Sequence, residues 1–248
     1  MSLTKLNKYL SKVDPSSLNV PHSKTPVLLS DSKGRYLQDE IGRFYGIEND
    51  ILFWCKSGAT CREQYDYLVR KLETTLQSYP AIVLYIWVGN CDLTEKTGPV
   101  IELKTRDSSS VKAITDCYRD IYNFVSKLPT VDLVFLEIPP YSIYHYNDKN
   151  QPTPLTRTQI RQFKRDDFTL NTQIEQVNSF IRDTNRLLHK SSPRFSIDLQ
   201  NCRKDRHSEN GRYSFRFYAL YLDGIHPCPT LANYWLVRLC QRMVGDCA

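Results

Sequence analysis

Five short, predominantly apolar runs, separated by helix-length segments, constrain the fold more than any other feature of this chain. They are residues 27–29 (VLL), 51–54 (ILFW), 81–88 (AIVLYIWV), 131–138 (VDLVFLEI) and 195–199 (FSIDL). The third has no charged residue, so a strand built from it must be covered on both faces, as in a parallel sheet. The intervening segments carry apolar stripes at three-, four- or seven-residue spacing. Tyr65, Leu68, Leu72 and Leu76 form one, and Ile114, Tyr118, Ile121 and Val125 another. Ile174, Val177, Ile181 and Leu188 form a third, and Leu231, Trp235, Leu239 and Met243 a fourth. Each stripe can lay one helical face on the sheet. The alternation predicts one α/β domain without internal repeats, with right-handed crossovers.

Composition agrees with that class. A chain of 248 residues is within reach of one α/β unit, and 41% hydrophobic residues suffice for a sizeable core. The 24% charged fraction and 16 tyrosines argue against disorder. A net charge of +6 favours anionic partners only mildly and falls short of a dedicated nucleic-acid arm. The eight cysteines sit singly, with no CxxC pair. The N-terminal MSLTKLNKYLSKVDPSS has no apolar core of signal-peptide length, and no stretch nears the ~20 apolar residues of a membrane span. Reduced thiols in a cytoplasmic or nuclear protein are therefore expected, rather than a secreted disulfide scaffold. Zinc is not expected, because Cys202 and His207 supply at most half a site.

Residues 1–25 read as an N-terminal arm or linker, punctuated by Pro15 and Pro21, with the domain occupying 26–248. One segment breaks the rhythm. Residues 141–168, YSIYHYNDKNQPTPLTRTQIRQFKRDDF, read as a long polar insertion between the fourth strand and the next helix. A loop of that length either covers a site or is a surface excursion.

Ligands of an open parallel sheet collect at the carboxyl ends of its strands, and four polar clusters fall there. Run one ends in Ser30-Asp31-Ser32, run two in CKSGAT with Gly58, and run three in WVGNCDLT with Gly89 and Asn90. The fourth cluster, YLDGIHPCPTLANYW, precedes the final helical stripe. Two hydroxyls and a carboxylate after a buried strand mark either a solvated turn or a serine held at the mouth of the sheet. Acyl transfer by a serine needs a base to take its proton and an anion to fix that base's tautomer. Asp223 and His226, three residues apart on a turn freed by Gly224, are of the right types. A tetrahedral intermediate also needs donors already in place; backbone N–H groups at Ser32 and Gly58 and the Asn90 amide can supply them. Taken singly, each residue has a plain structural reading as well: a structural Asp–His pair, a turn glycine, a helix cap.

In combination and in this order, the four blocks resemble the SGNH (GDSL-type) hydrolases, over nearly the whole chain from Val27 onward. The resemblance implies a flavodoxin-like three-layer α/β/α sandwich with a five-stranded parallel sheet, and neither metal nor organic cofactor. It implies Ser32 as nucleophile and first oxyanion donor, Gly58 and Asn90 as the other two donors, His226 as general base and Asp223 as its orienting partner. The implied activity is hydrolysis of a small acyl, acetyl or lipid ester through an acyl-enzyme. Two positions depart from the pattern: Ser30 stands where glycine is usual, and VGNCD replaces Gly-x-Asn-Asp, leaving Asp92 as the nearest carboxylate.

A narrower resemblance links VLLSDSKGRYL, WVGNCDLT and DGIHPC to the esterase domain in first open-reading-frame proteins of LINE-type retrotransposons. It implies a piece of a longer polypeptide, ribonucleoprotein (RNA) association and membrane-surface contact. Two other functions remain open on the residues. The same site can transfer its acyl group to another acceptor. Alternatively, the basic-aromatic stretch CRKDRHSENGRYSFRFY (202–218), with Tyr213, Phe215, Phe217 and Tyr218, suits a nucleic-acid- or lipid-binding module on a hydrolase fold. Tyr141, Tyr144 and Tyr146 either line an acyl channel or pack the insertion onto the sheet.

Overall fold

The computed structural model describes residues 2–19, 23–42, 51–196, 199–204, 212–216 and 218–248; of 200–204 and 212–216 it describes the backbone alone. In chain order the elements are α1 (Leu3–Leu10), β1 (Thr25–Ser30), α2 (Ser32–Ile41), β2 (Leu52–Cys55), α3 (Cys61–Ser78) and β3 (Ile82–Trp87). A single turn, α4 (Asn90–Leu93), leads into a hairpin of β4 (Thr94–Thr97) and β5 (Val100–Leu103). There follow α5 (Ser109–Val125), β6 (Val131–Phe135), α6 (Ile143–Asn150) and α7 (Arg157–Leu187). The chain closes with β7 (Gln200–Lys204), β8 (Arg212–Arg216) and α8 (Pro229–Asp246).

Four strands form a parallel sheet in the order β2-β1-β3-β6. Strand β3 shows why the sheet must be sandwiched, since all six of its residues are buried. Ile82, Leu84 and Ile86 face a core completed by α3, α5 and α7. Val83, Tyr85 and Trp87 face a second core completed by α1, α2 and α8. The apolar stripes read from the sequence supply both: Leu68 and Leu72, Ile114 and Tyr118, Ile174 and Val177 on one side, Leu231, Trp235 and Leu239 on the other. The α/β/α architecture is thus the pleat of a two-sided strand repeated across the sheet.

The described residues add detail to three expectations. Among the described residues the parallel sheet has four strands, and 197–198 of the fifth apolar run lie outside them. At the described residues of that run, the Phe195 N–H donates to the Pro193 carbonyl at 3.1 Å and the Leu199 N–H to the Ser196 carbonyl at 3.3 Å. Its apolar character serves packing, with the Phe195 ring 4.8 Å from Trp87 and 5.6 Å from Trp235. Within residues 1–25, the described part includes a helix, α1. Leu3, Leu6 and Leu10 form an apolar stripe, Ser2 caps the helix, and Leu6 is fully buried in the core that α8 completes. Residues 141–168 contain helical segments as well as a connection. Ser142 caps α6, and a capping box between Thr156 and Gln159 starts α7 at Arg157, so only 151–156 connects the two helices. Among the described residues, no helix is long and apolar enough to cross a membrane.

Packing is close beneath the first turn of α2. A Cβ on Gly34 would stand 2.6 Å from both Cys55 Sγ and Ser30 Cβ. The glycine therefore lets α2 descend onto the ends of β1 and β2. Gly34→Ala is expected to cost about 1–3 kcal/mol through overpacking, read as a lower urea midpoint at unchanged slope; a wild-type midpoint would contradict this packing.

Candidate active site

Strand β1 delivers Ser32 to the rim. Its last residue, Ser30, is gripped from both sides: the Ser30 carbonyl accepts the Lys56 N–H at 3.0 Å and Gln64 Nε2 at 2.8 Å. Asp31 then ends the strand and caps α2, accepting the Lys33 N–H at 2.9 Å. Ser32 follows as the first helical residue, half-buried, at the positive end of the α2 dipole. The Asp31 carboxylate beneath it is buried and paired with Lys33 Nζ at 2.5 Å, and that ammonium also sits 5.4 Å from the Trp87 ring centre.

The turn before α8 brings its histidine to the same place. His226 Nε2 lies 3.2 Å from Ser32 Oγ, and Nδ1 lies 2.7 Å from Asp223 Oδ2. Asp223 Oδ1 accepts the N–H groups of Ile225 at 3.0 Å and His226 at 2.8 Å, which locks the carboxylate inside its own turn. Burial pushes the Asp223 carboxyl up, but the hydrogen bonds from the His226 ring and from these N–H groups outweigh it and hold it below its ordinary value. An ionised carboxylate only accepts, so Nδ1 must donate to it, leaving the Nε2 lone pair for the Ser32 hydroxyl. The Tyr36 ring, 5.1 Å from the imidazole, covers its flank.

Ser32 and His226 open into a cleft of about 400 Å³. Gly58 and Asn90 line it, so all five residues singled out in the sequence converge here. Asn90 is buried, and its Oδ1 has no partner among the described residues. Its backbone is fixed by the Tyr141 hydroxyl, which donates to the Asn90 carbonyl at 3.0 Å. Cys91 also reaches the cleft; burial, reinforced by the Asp31 carboxylate, pushes its thiol up to about 12, so it stays protonated near neutral pH.

No family model matches the sequence, and no curated protein matches it significantly. Solved structures do. A GDSL-like lipase from Bacteroides thetaiotaomicron is similar with a TM-score of 0.60 at 11% identity, over 99% of this chain and 100% of that one. A lipase/acylhydrolase from Enterococcus faecalis gives 0.52 at 10%, over 90% and 96%, and an acetyl xylan esterase gives 0.50 at 10%, over 87% and 97%. The chain has the fold of the GDSL-type hydrolases.

Within that fold the two departures find local explanations. Ser30 keeps a negative φ, and its hydroxyl donates to the Trp87 carbonyl at 3.1 Å while accepting the Gly34 N–H at 3.2 Å. A side chain here stitches β1 to β3 and to α2, in space that Gly34 leaves free. Asp92 accepts the Cys61 N–H at 2.8 Å, tying the start of α3, just after Gly58, to the turn that carries Asn90. The sequence reading missed one wall of the cleft, the β4–β5 hairpin with Thr94, Lys96 and Ile101. Its signal was the alternation in TEKTGPVIEL around Gly98 and Pro99. Tyr141 and Tyr146 line the cleft, whereas Tyr144 stacks under Lys164 outside it. The side chains of the basic-aromatic stretch up to Phe217 lie outside the described residues.

The lowered Asp223 value has a stability consequence. A carboxyl held below its unfolded-state value stabilises the fold above the ordinary carboxylate range, and that contribution is lost as pH falls through the folded-state value. Asp223→Asn should therefore lower the unfolding midpoint at pH 7, with the gap from wild type closing as the pH drops below about 4. A gap unchanged between pH 7 and pH 2 would contradict the ionised Asp223–His226 pair.

Proposed function

We propose that the chain is a serine-dependent carboxylic ester hydrolase. The observation that carries this reading is the unbroken line from Asp223 through His226 to Ser32 Oγ, at 2.7 and 3.2 Å, opening on a cleft. The 3.2 Å between Nε2 and Oγ suits proton transfer, and the 2.7 Å to Asp223 fixes the imidazole tautomer. The Ser32 hydroxyl gives its proton to His226 Nε2 as Oγ bonds to the ester carbonyl carbon. The carbonyl oxygen becomes an oxyanion, met by the N–H groups of Ser32 and Gly58 and by the Asn90 amide. Collapse of this intermediate expels the alcohol, which takes the proton from Nε2 and leaves Ser32 acylated. A water then loses a proton to His226 and attacks the acyl carbon; the acid departs and the Ser32 hydroxyl is restored. Asp223 stabilises the imidazolium in both halves without being protonated.

The apolar part of the cleft, formed by Ile101, Tyr141, Tyr146 and Ile225, suits an acyl chain. A lipid ester substrate, contact with a membrane surface and a place in a cytoplasmic retrotransposon ribonucleoprotein are further proposals. Their support is the likeness of three short motifs to retrotransposon esterase domains.

With p-nitrophenyl acetate, Ser32→Ala and His226→Ala should each lower kcat by about 10⁴-fold. Asn90→Ala should lower it by about 10²–10³-fold. Full hydrolysis by Ser32→Ala would remove the basis of this reading. Product analysis in the presence of added alcohols separates hydrolysis from transfer: free acid alone is expected, and a new ester as main product would make the enzyme a transferase.

A further inference from the structure

Helix α6, built from the first part of the segment that reads as an insertion, touches the site from two directions. On one side, the Asn147 amide forms a closed pair with the hairpin: Oδ1 accepts the Ile101 N–H at 2.8 Å and Nδ2 donates to the Ile101 carbonyl at 2.9 Å. On the other, the Ser142 N–H donates to the Gly224 carbonyl at 3.0 Å and Lys149 Nζ donates to the Leu222 carbonyl. Leu222 and Gly224 flank Asp223, so the backbone on either side of that carboxylate hangs from α6. The approach is close enough to demand glycine. Gly224 has φ +89°, and a Cβ there would lie 2.8 Å from the Tyr146 nitrogen and 2.9 Å from His145 Cβ.

A helix of eight residues does not hold itself in place. Asp167, in the third turn of α7, does so. Its carboxylate accepts the Ser142 hydroxyl at 2.7 Å and the N–H groups of Ile143 at 2.6 Å and Tyr144 at 3.4 Å. Ser142 Oγ in turn accepts the His145 N–H at 3.0 Å, which accounts for the first free amides of α6. The neighbouring carboxylate does something else: Asp166 is engaged by Arg106 and Gln162.

We propose that Asp167 is a positioning residue for the reaction: it pins the start of α6, and α6 holds the Asp223–His226 turn at the distance from Ser32 that proton transfer requires. Displacing reacting groups by about 1 Å through a remote change is enough to cost around 10²-fold in rate. The activity readout of this inference rests on the ester-hydrolase reading; the spectroscopic one does not.

Asp167→Leu keeps much of the volume and removes every acceptor. It should lower kcat for p-nitrophenyl acetate by about 10- to 100-fold while KM stays within about threefold, the pattern of a lost transition-state alignment rather than lost binding. Asp167→Asn, which retains a carbonyl acceptor for the α6 amides and can donate to Ser142 Oγ, should recover most of the loss. Asp166→Asn should leave kcat near wild type. Independently of turnover, the low-field proton resonance of His226 Nδ1–H should be sharp in wild type and in Asp167→Asn, and broadened or absent in Asp167→Leu. A folded Asp167→Leu with wild-type kcat and an unchanged resonance overturns the assignment, as does an equal loss in Asp166→Asn. If Asp167→Leu does not fold, Ser142→Ala carries the test, with a fall in kcat at unchanged KM expected and wild-type kcat refuting it. A wild-type protein without esterase activity defeats the ester-hydrolase reading, while the resonance still reports whether Asp167 holds the turn.

Discussion

Parallel pairing of β1 between β2 and β3 sets where Ser32, Gly58 and Asn90 can stand. Because the strands run the same way, their carboxyl ends share one rim, with Ser30 paired to Cys55 on one side and to Trp87 on the other. Ser32, Gly58 and Asn90 follow those three residues by two or three positions, so register alone brings them to one cleft. A slip of one residue in β1 would turn its side chains to the opposite face and carry Ser32 away from the imidazole. The bonds gathered at Ser30 guard against that slip: its hydroxyl reaches Trp87, and its carbonyl receives Lys56 and Gln64.

Electrostatics at the rim follow from what lies under it. Asp31 is buried directly before Ser32, and an unpaired carboxylate there would oppose the charge that develops on an attacked carbonyl. Lys33 answers it within the same turn, and its charge is accommodated by the face of Trp87. Above the rim, Asp223 meets its hydrogen-bond needs inside its own turn and the ring of its own histidine. The His226 ring is thereby oriented within its own turn, and the remaining variable is where the whole turn sits. The molecule settles that through α6, which joins the turn to the hairpin wall.

Elements whose burial is two-sided or periodic were legible in the chain. The uninterrupted run at 81–88 becomes β3, and stripes such as Leu68–Leu72 and Ile114–Tyr118 become the buried faces of α3 and α5. The five site residues could be picked out because each sits at a break in such a pattern, where polar groups are otherwise wasteful. Elsewhere the pattern misleads. In the run at 195–199, Phe195 packs against Trp87 and Trp235, a demand of packing that an apolar run meets whatever its secondary structure. Helix α6 is obscured by tyrosines and by polar residues whose partners are distant: Asn147 serves Ile101 and Ser142 serves Asp167. Such long-range polar bonds leave no periodic trace, so the structure that braces the site reads as loop.

The central claim is that Ser32 is a nucleophile activated by His226, and covalent labelling measures this most directly. A serine-directed fluorophosphonate should modify the wild-type protein once, on the peptide containing Ser32, and should fail to modify His226→Ala at a comparable rate. Label on another residue, or equal labelling of both proteins, would contradict the account.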